Sequence, residues 1–379
     1  MKYLIYILIL VVLTFSFFLW KKIQNNIKIS LFKKLLSKNI QQTQYNTHLS
    51  LFHNIITDII SKFFIKASKK EQTKILKSLE DENIQTLLKF LQKKDLSLEY
   101  ALKHILSFKA NSKKIQKKKN RSSLLRLLSC IIHESNFSYS AIKNDLPGFF
   151  WSKRYRAIRN LLHARYLFFK TDLKNALKYA LKASKTLKKE RLNDELAYTY
   201  FMIGEIYRIA GEYDLAHMTF LCASKIYQTT NHIFGQNLIL ANLGINCTHA
   251  KRFKDAELYF NQALTSFRKN KDILHEAEIL NQKALLLNIK SDPLKAYKTA
   301  QEALQKNKKI KNEQGLALSF QQMAIALYSI EKFNDSLKAA QEAKKRYLKQ
   351  KNYQAYADSL DLLTQIYLKT GRIHRQKNH

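Results

Sequence analysis

The sequence predicts an all-α protein: a superhelical α–α solenoid of helix pairs, preceded by an N-terminal transmembrane helix and a basic helical region. Three observations carry that prediction. A pattern of small and large apolar residues recurs every forty residues, the 379 residues include only seven Gly and two Pro, and residues 3–20 hold no charge. A fixed internal period is the signature of stacked repeats. So little Gly and Pro suits long helices joined by short turns.

The repeat is clearest over residues 194–223. Gly204 and Tyr207 lie three apart, and Ala216, Phe220 and Ala223 follow at helical spacing after a turn-like stretch at Gly211. The figure returns as Gly244, Cys247, Ala256, Phe260, Ala263, then as Ala284, Leu287, Ala296, Ala300, Ala303, then as Ala324, Leu327, Ser336, Ala340, Ala343. Upstream, Ala164, Leu167, Ala176, Ala180 and Ala183 match it, and Thr364 with Tyr367 begin it once more. Residues 153–370 therefore read as five helix pairs closed by a lone helix at about 352–370. Positions three, four and seven apart share a helix face. Where the two helices of a pair cross closely, only a small residue lets the backbones approach, and Leu, Phe or Tyr fills the gaps.

This pattern resembles the tetratricopeptide repeat, with a small residue at the eighth position, a large one at the eleventh, Ala at the twentieth and twenty-seventh, and Phe at the twenty-fourth. Gly204, Tyr207, Ala216, Phe220 and Ala223 match all five, in a forty-residue form. The family's Pro near the repeat end is missing, and the large position is only Cys at Cys247. The resemblance implies that the first (A) helix of each pair lines a concave face and the second (B) helix a convex one.

Residues 3–20 would span about 27 Å as a helix, close to the ~30 Å of a hydrocarbon layer. Tyr3, Tyr6 and Trp20 stand near its ends, as interfacial aromatics do. A cleaved signal peptide would need small residues at a cleavage site, yet Trp20-Lys21-Lys22 follows directly. The run is read as a single-pass anchor. Lys21, Lys22, Lys28, Lys33, Lys34 and Lys38 follow, with no acid before Asp58, which sets the repeats on the cytoplasmic side. The expected layout is an anchor at 3–20, a basic juxtamembrane segment at 21–57, a helical region at 58–152, the repeats at 153–370 and a tail at 371–379. Over residues 50–108, Leu51, Ile55, Ile59, Phe63, Leu76 and Leu79 mark apolar helix faces. Residues 109–126 carry eight basic residues and no acid, a solvated surface or an anionic contact. Asp145-Leu146-Pro147 resembles a helix start, and Asp292-Pro293 an N-cap with Pro in the first turn.

Lys and Arg number 66 against 29 Asp and Glu, a formal net charge of +37. The excess is uneven. Residues 174–191, 295–311 and 332–351, all B helices, have seven, six and seven basic residues against one, one and two acids, whereas 192–212 have one Arg against four acids. An electropositive outer face could meet anionic lipid. Base-stacking aromatics do not interleave the basic run, which argues against nucleic acid. Cys130, Cys222 and Cys247 show no pairing pattern and read as small buried hydrophobes.

The chain carries no Gly-rich phosphate loop. His275-Glu276-Ala277-Glu278 lacks the second His of a zinc helix, and no other metal spacing is present. No catalytic residue, metal or cofactor is expected. Carrying the resemblance's groove positions across gives an apolar N-terminal half, Leu161, Leu162, Phe168, Phe169, Tyr198, Phe201 and Met202, expected to receive the helices upstream. The C-terminal half is polar: Asn242, Glu278, Asn281, Gln282, Asn288, Gln321, Gln322, Asp358 and Asp361. It is the expected groove for a protein or peptide partner. The resulting expectation is a membrane-tethered, non-catalytic scaffold. A basic nucleic-acid-associated repeat protein and an outward-facing assembly factor for envelope complexes are the alternatives.

Overall fold

A computed structural model describes residues 28–36, 52–65, 67–81 and 152–371, with isolated positions at 26, 87, 126, 127, 130, 131, 142, 143, 146 and 147. The expected anchor at 3–20 and most of the basic stretch at 109–126 lie outside these residues. Among them, no helix is long and apolar enough to cross a membrane.

The labelled elements are all helices: α1 (His53–Phe64), α2 (Lys69–Glu80), α3 (Lys153–Phe169), α4 (Leu173–Lys189), α5 (Asn193–Ile209), α6 (Tyr213–Thr229), α7 (Ile233–His249), α8 (Phe253–Lys269), α9 (Ile273–Ile289), α10 (Pro293–Ile310), α11 (Glu313–Ser329), α12 (Phe333–Lys349) and α13 (Tyr353–Thr370). Residues 28–36 are also helical. The chain divides into two units, the first ending at Ile206 and the second beginning at Tyr207, inside α5. Helix α1 crosses the expected boundary at 57/58. Leu146 and Pro147 are not helical and α3 opens at Lys153, so Asp145–Pro147 does not start the first repeat helix. The carbonyls of Leu146 and Pro147 instead accept from Arg126 and from Arg159.

The joints between helices repeat every twenty residues. Thr171, Arg191, Gly211, Asn231, Lys251, Lys271, Ser291, Lys311, Glu331, Lys351 and Gly371 all have a positive φ, between 52° and 83°. At each joint from Thr171 to Lys351 the next N–H reaches back to a carbonyl five residues earlier, as from Asp172 to Leu167 and from Asp272 to Phe267. This is the left-handed closure that satisfies the last carbonyls of a helix. The residue after it caps the next helix: Asp172, His232, Asp272, Asp292, Asn312 and Asn352 each accept the N–H three residues on. Asp292 does so with Pro293 in the first turn.

In the first unit α3 packs on α4. In the second, each helix from α6 to α13 packs on the next, and the A helices also touch one another as α7–α9, α9–α11 and α11–α13. Helices on the inner side of a curved stack are the ones brought together in this way. The small columns are sealed: Ala164, Ala176, Ala180, Ala183, Ala216, Ala223, Ala256, Ala263, Ala284, Ala296, Ala300, Ala303, Ala324, Ala340, Ala343 and Ser336 are all fully buried, as are Phe220 and Phe260. Gly204 and Gly244 are buried too. A Cβ on Gly244 would stand 2.5 Å from the Phe260 ring. In this repeat the eighth position is small because the ring of the following helix lies on it.

Four positions depart from the expected core, among them Leu167, which is only half-buried. Tyr207 is only half-buried, and in the half-repeat Thr364 is exposed and Tyr367 half-buried. No B helix follows α13 among the described residues to cover those two. Cys130 and Cys247 are buried but Cys222 is exposed, and none of the three is in a disulfide.

A helices bury residues around most of their circumference, as in α7, whereas B helices bury one stripe, as in α10 with Ala296, Ala300, Ala303, Leu304 and Asn307. The rest of a B helix faces water, and the lysines stand there: Lys174, Lys178, Lys182 and Lys185 on α4, and Lys295, Lys298, Lys308 and Lys309 on α10 are exposed.

Candidate functional site: a recess on the A helices of the second unit

Helices α7, α9 and α11 enclose a recess of about 280 Å³. The repeat register builds it. Leu238, Glu278 and Leu318 occupy the same place in successive A helices, forty residues apart, and all three line it. Asn242 and Gln282 share the next place, one turn on. Ile245 and Ile279 extend the apolar floor, and Asn312 and Gln314 add amides at the start of α11. The lining contains no Lys or Arg.

The chemistry concentrates at the first turn of α9. The Asp272 carboxylate caps the helix through Oδ1, which accepts the His275 N–H at 3.2 Å. Its Oδ2 lies 2.6 Å from His275 Nδ1. The imidazole stacks on Phe267, centroids 5.3 Å apart and 19° between planes, and meets Phe234 edge-on. Burial acts to lower the His275 pKa, but the Asp272 hydrogen bond and the Glu278 and Asp272 charges outweigh it and hold the pKa above its ordinary value. Glu278 reaches solvent, yet the surrounding walls and the Asp272 charge push its carboxyl up, against the pull of His275. Its neighbour Glu276 is buried on another face. There Arg268 at 2.7 Å and Lys306 at 2.9 Å hold its carboxyl below the usual range despite burial.

The expected groove residues have different fates. Glu278 and Gln282 line the recess with side chains open to it. Asn242 lines it as well, and its amide donates back to Leu238 O at 2.8 Å. Asn281 touches the recess but is 1% exposed. It donates to Gly315 O at 3.2 Å and accepts from Ser319 Oγ at 2.8 Å. Asn288 donates to the Gln322 carbonyl and side chain, and Gln321 accepts the Tyr347 hydroxyl. Those four amides hold helices together. Asp358 and Asp361 are exposed on α13, outside the recess.

Sequence reasoning did not name Phe234, Leu238, Ile245, His275, Asn312, Gln314 and Leu318 as lining residues. The forty-residue register carried the signal for two of them: Leu238 and Leu318 are the column mates of Glu278.

In the first unit the apolar A-helix surface is covered by the chain itself. Leu161, Leu162, Tyr198, Phe201 and Met202 are buried, Phe168 is half-buried and Phe169 stays exposed. Phe52 meets Tyr198 edge-on at 5.3 Å, and the Ile55 N–H donates to Glu195 Oε1 at 3.2 Å. Asp58 joins α1 to Arg154 of α3 and, at 2.5 Å, to Lys33. Lys33 thus has a structural partner besides any part in membrane orientation.

Among the described residues no three His, Cys, Asp or Glu gather as metal ligands. Cys247, 3.9 Å from His217, is buried and its thiol pKa is raised by that burial, so the pair makes no activated nucleophile.

No protein-family model and no curated protein matches the chain in sequence. Solved structures do match in shape. A Rap protein in complex with Competence and Sporulation Factor matches with a TM-score of 0.52 and 12% identity, over 91% of this chain and 98% of that one. The tetratricopeptide repeat sensor protein PH0952 of Pyrococcus horikoshii, a signal transduction ATPase with numerous domains, matches at 0.54 and 14%, over 89% and 54%. The Cut9–Hcn1 hetero-tetramer matches at 0.52 and 16%, over 85% and 57%. At such identities the likeness concerns the fold alone, a helical-repeat stack of consecutive packed helix pairs.

Proposed function

We propose that the chain is a membrane-tethered scaffold whose second unit binds an extended segment of another protein along its A helices, without catalysis. The observation that carries this reading is the recess itself: an apolar floor of Leu238, Ile245, Ile279 and Leu318 under a rim of Gln282, Gln314 and Asn242. Amides that both donate and accept suit the alternating N–H and C=O of a peptide backbone. A preformed apolar floor supplies desolvation without reordering the receptor. At about 280 Å³ the recess is smaller than the roughly 300–1,000 Å³ usual for a small-molecule site, which favours one side chain of a longer ligand. Two of the structures similar in fold, the Rap protein and Cut9, are themselves solved with a partner.

Tethering rests on the uncharged run 3–20, and a cytoplasmic location of the repeats on the lysines that follow it. The exposed lysines of the B helices add a contact with anionic lipid, on the side opposite the groove. A photoreactive residue at Gln282 should cross-link a protein partner in native membranes, and one at Lys298 on the outer face should not. Cross-links to RNA from Lys298, and none from Gln282, would favour the nucleic-acid alternative. A C-terminal phosphatase fusion that is active would place the repeats outside and favour the envelope-assembly alternative.

A further inference from the structure

The recess is selected in charge as well as in shape. In a chain of 66 basic residues against 29 acids, no Lys or Arg lines it, and Glu278 is its carboxylate. The other two acids at the start of α9 are engaged: Asp272 with His275, and Glu276 with Arg268 and Lys306. Among the described residues the Glu278 carboxylate has no hydrogen-bond or ion-pair partner. It stands between two leucines of its own column, Leu238 and Leu318, on neighbouring helices.

We infer that this recess is a subsite for a cationic side chain, Lys or Arg, of the bound segment, an assignment that rests on the groove reading above. Glu278 supplies the counter-charge, and Leu238 and Leu318 take the methylene stem. Long basic side chains carry both parts: an apolar stem that packs and a charged head that needs a partner. The electrostatics favour the cation in either state of His275. With both carboxylates ionised, the Asp272–His275–Glu278 cluster is net negative whether or not the imidazole is protonated. The crowding that raises the Glu278 carboxyl also makes an opposite charge there more effective than it would be in open water. Exposed lysines on the outer helices repel a basic segment, so the acidic recess is where such a segment is drawn in.

The test uses the full-length chain in detergent and a phage-displayed library of random short peptides. Selected peptides should share a Lys or Arg at one position, and Glu278→Gln, with unchanged circular dichroism, should weaken a selected peptide roughly tenfold. Replacing that basic residue by norleucine should weaken binding to the wild type by a similar factor, with little further loss on Glu278→Gln, as coupled partners require. Glu278→Lys should shift the selected residue to Asp or Glu. Leu238→Arg, which fills the recess, should abolish capture. Peptides captured without a basic residue, or binding unchanged in Glu278→Gln while Leu238→Arg still abolishes it, would overturn the cationic subsite and leave the groove reading standing. No capture at all, or capture indifferent to Leu238→Arg, would overturn both.

Discussion

The backbone N–H of Ile55 donates to the Oε1 of Glu195 at 3.2 Å, joining residues 140 apart in the chain. Glu195 is fully buried and its other oxygen has no partner among the described residues. Burial, with the nearby Asp194 charge, pushes its carboxyl up to about 8, against the hydrogen bonds that favour the ionised form. A carboxyl raised in the fold holds a proton that the unfolded chain gives up near 4.5. The associated stability is present below that value and is lost as pH rises toward about 8.

Docking of α1 should therefore weaken between about pH 5 and pH 8, by an amount on the order of a few kcal/mol. Hydrogen exchange of the α1 amides should show it. Glu195→Gln, neutral at every pH, should flatten the dependence. A wild-type profile rising over that window would reverse the assignment.

Gly244→Ala should destabilise by ~1–3 kcal/mol through overpacking, because the added Cβ would stand 2.5 Å from the Phe260 ring and that ring is fully buried. Phe260→Leu in the same chain should recover part of the loss. Denaturant midpoints measure both, and a neutral Gly244→Ala would mean that the helices of this pair are not in such close contact.

At the joints, Gly211 has φ 83° and Lys271 φ 55°. Gly211→Ala should cost about 1 kcal/mol, because a Cβ is disfavoured in the left-handed region. Lys271→Gly should have the opposite sign and a smaller size, since the flexible unfolded chain offsets part of the gain. Thermal denaturation separates the two, and equal signs would contradict the turn geometry.

The imidazole of His275 should titrate above 6.5 by NMR. Asp272→Asn should lower it while keeping the cap, since Asn caps as well as Asp. The stability tied to this raised pKa is present below 6.5 and is lost as pH climbs through the folded value. A titration unmoved by Asp272→Asn would show that Asp272 is not the partner that sustains it.

If the outer lysines meet anionic lipid, Lys338, Lys345 and Lys349 changed to Glu should weaken binding of the chain lacking residues 1–20 to anionic vesicles, and salt should do the same. All three are exposed on α12. Arg346 is a poorer choice there, because it bonds Glu313 at 2.5 Å and Glu342 at 3.3 Å and its loss would disturb the fold. Equal binding to neutral vesicles would remove this role.

The helix pairs, their order and their small columns were legible from the sequence because they depend on local spacing. Ala256, Phe260 and Ala263 lie on one helix face wherever that helix is placed, and Asp292-Pro293 caps a helix whatever packs on it. Which amide is open to a ligand depends on residues about thirty to forty positions away. Asn281 and Gln282 are neighbours in the chain, yet one is tied to Gly315 and Ser319 while the other lines the recess. The three acids near the start of α9 read alike in the sequence. Packing gave Asp272 to His275, Glu276 to Arg268 and Lys306, and left Glu278 facing the recess. Nine of the left-handed joints carry residues other than Gly. Their conformation is imposed by hydrogen bonds from the helices they connect, and that is why the residues themselves do not announce it.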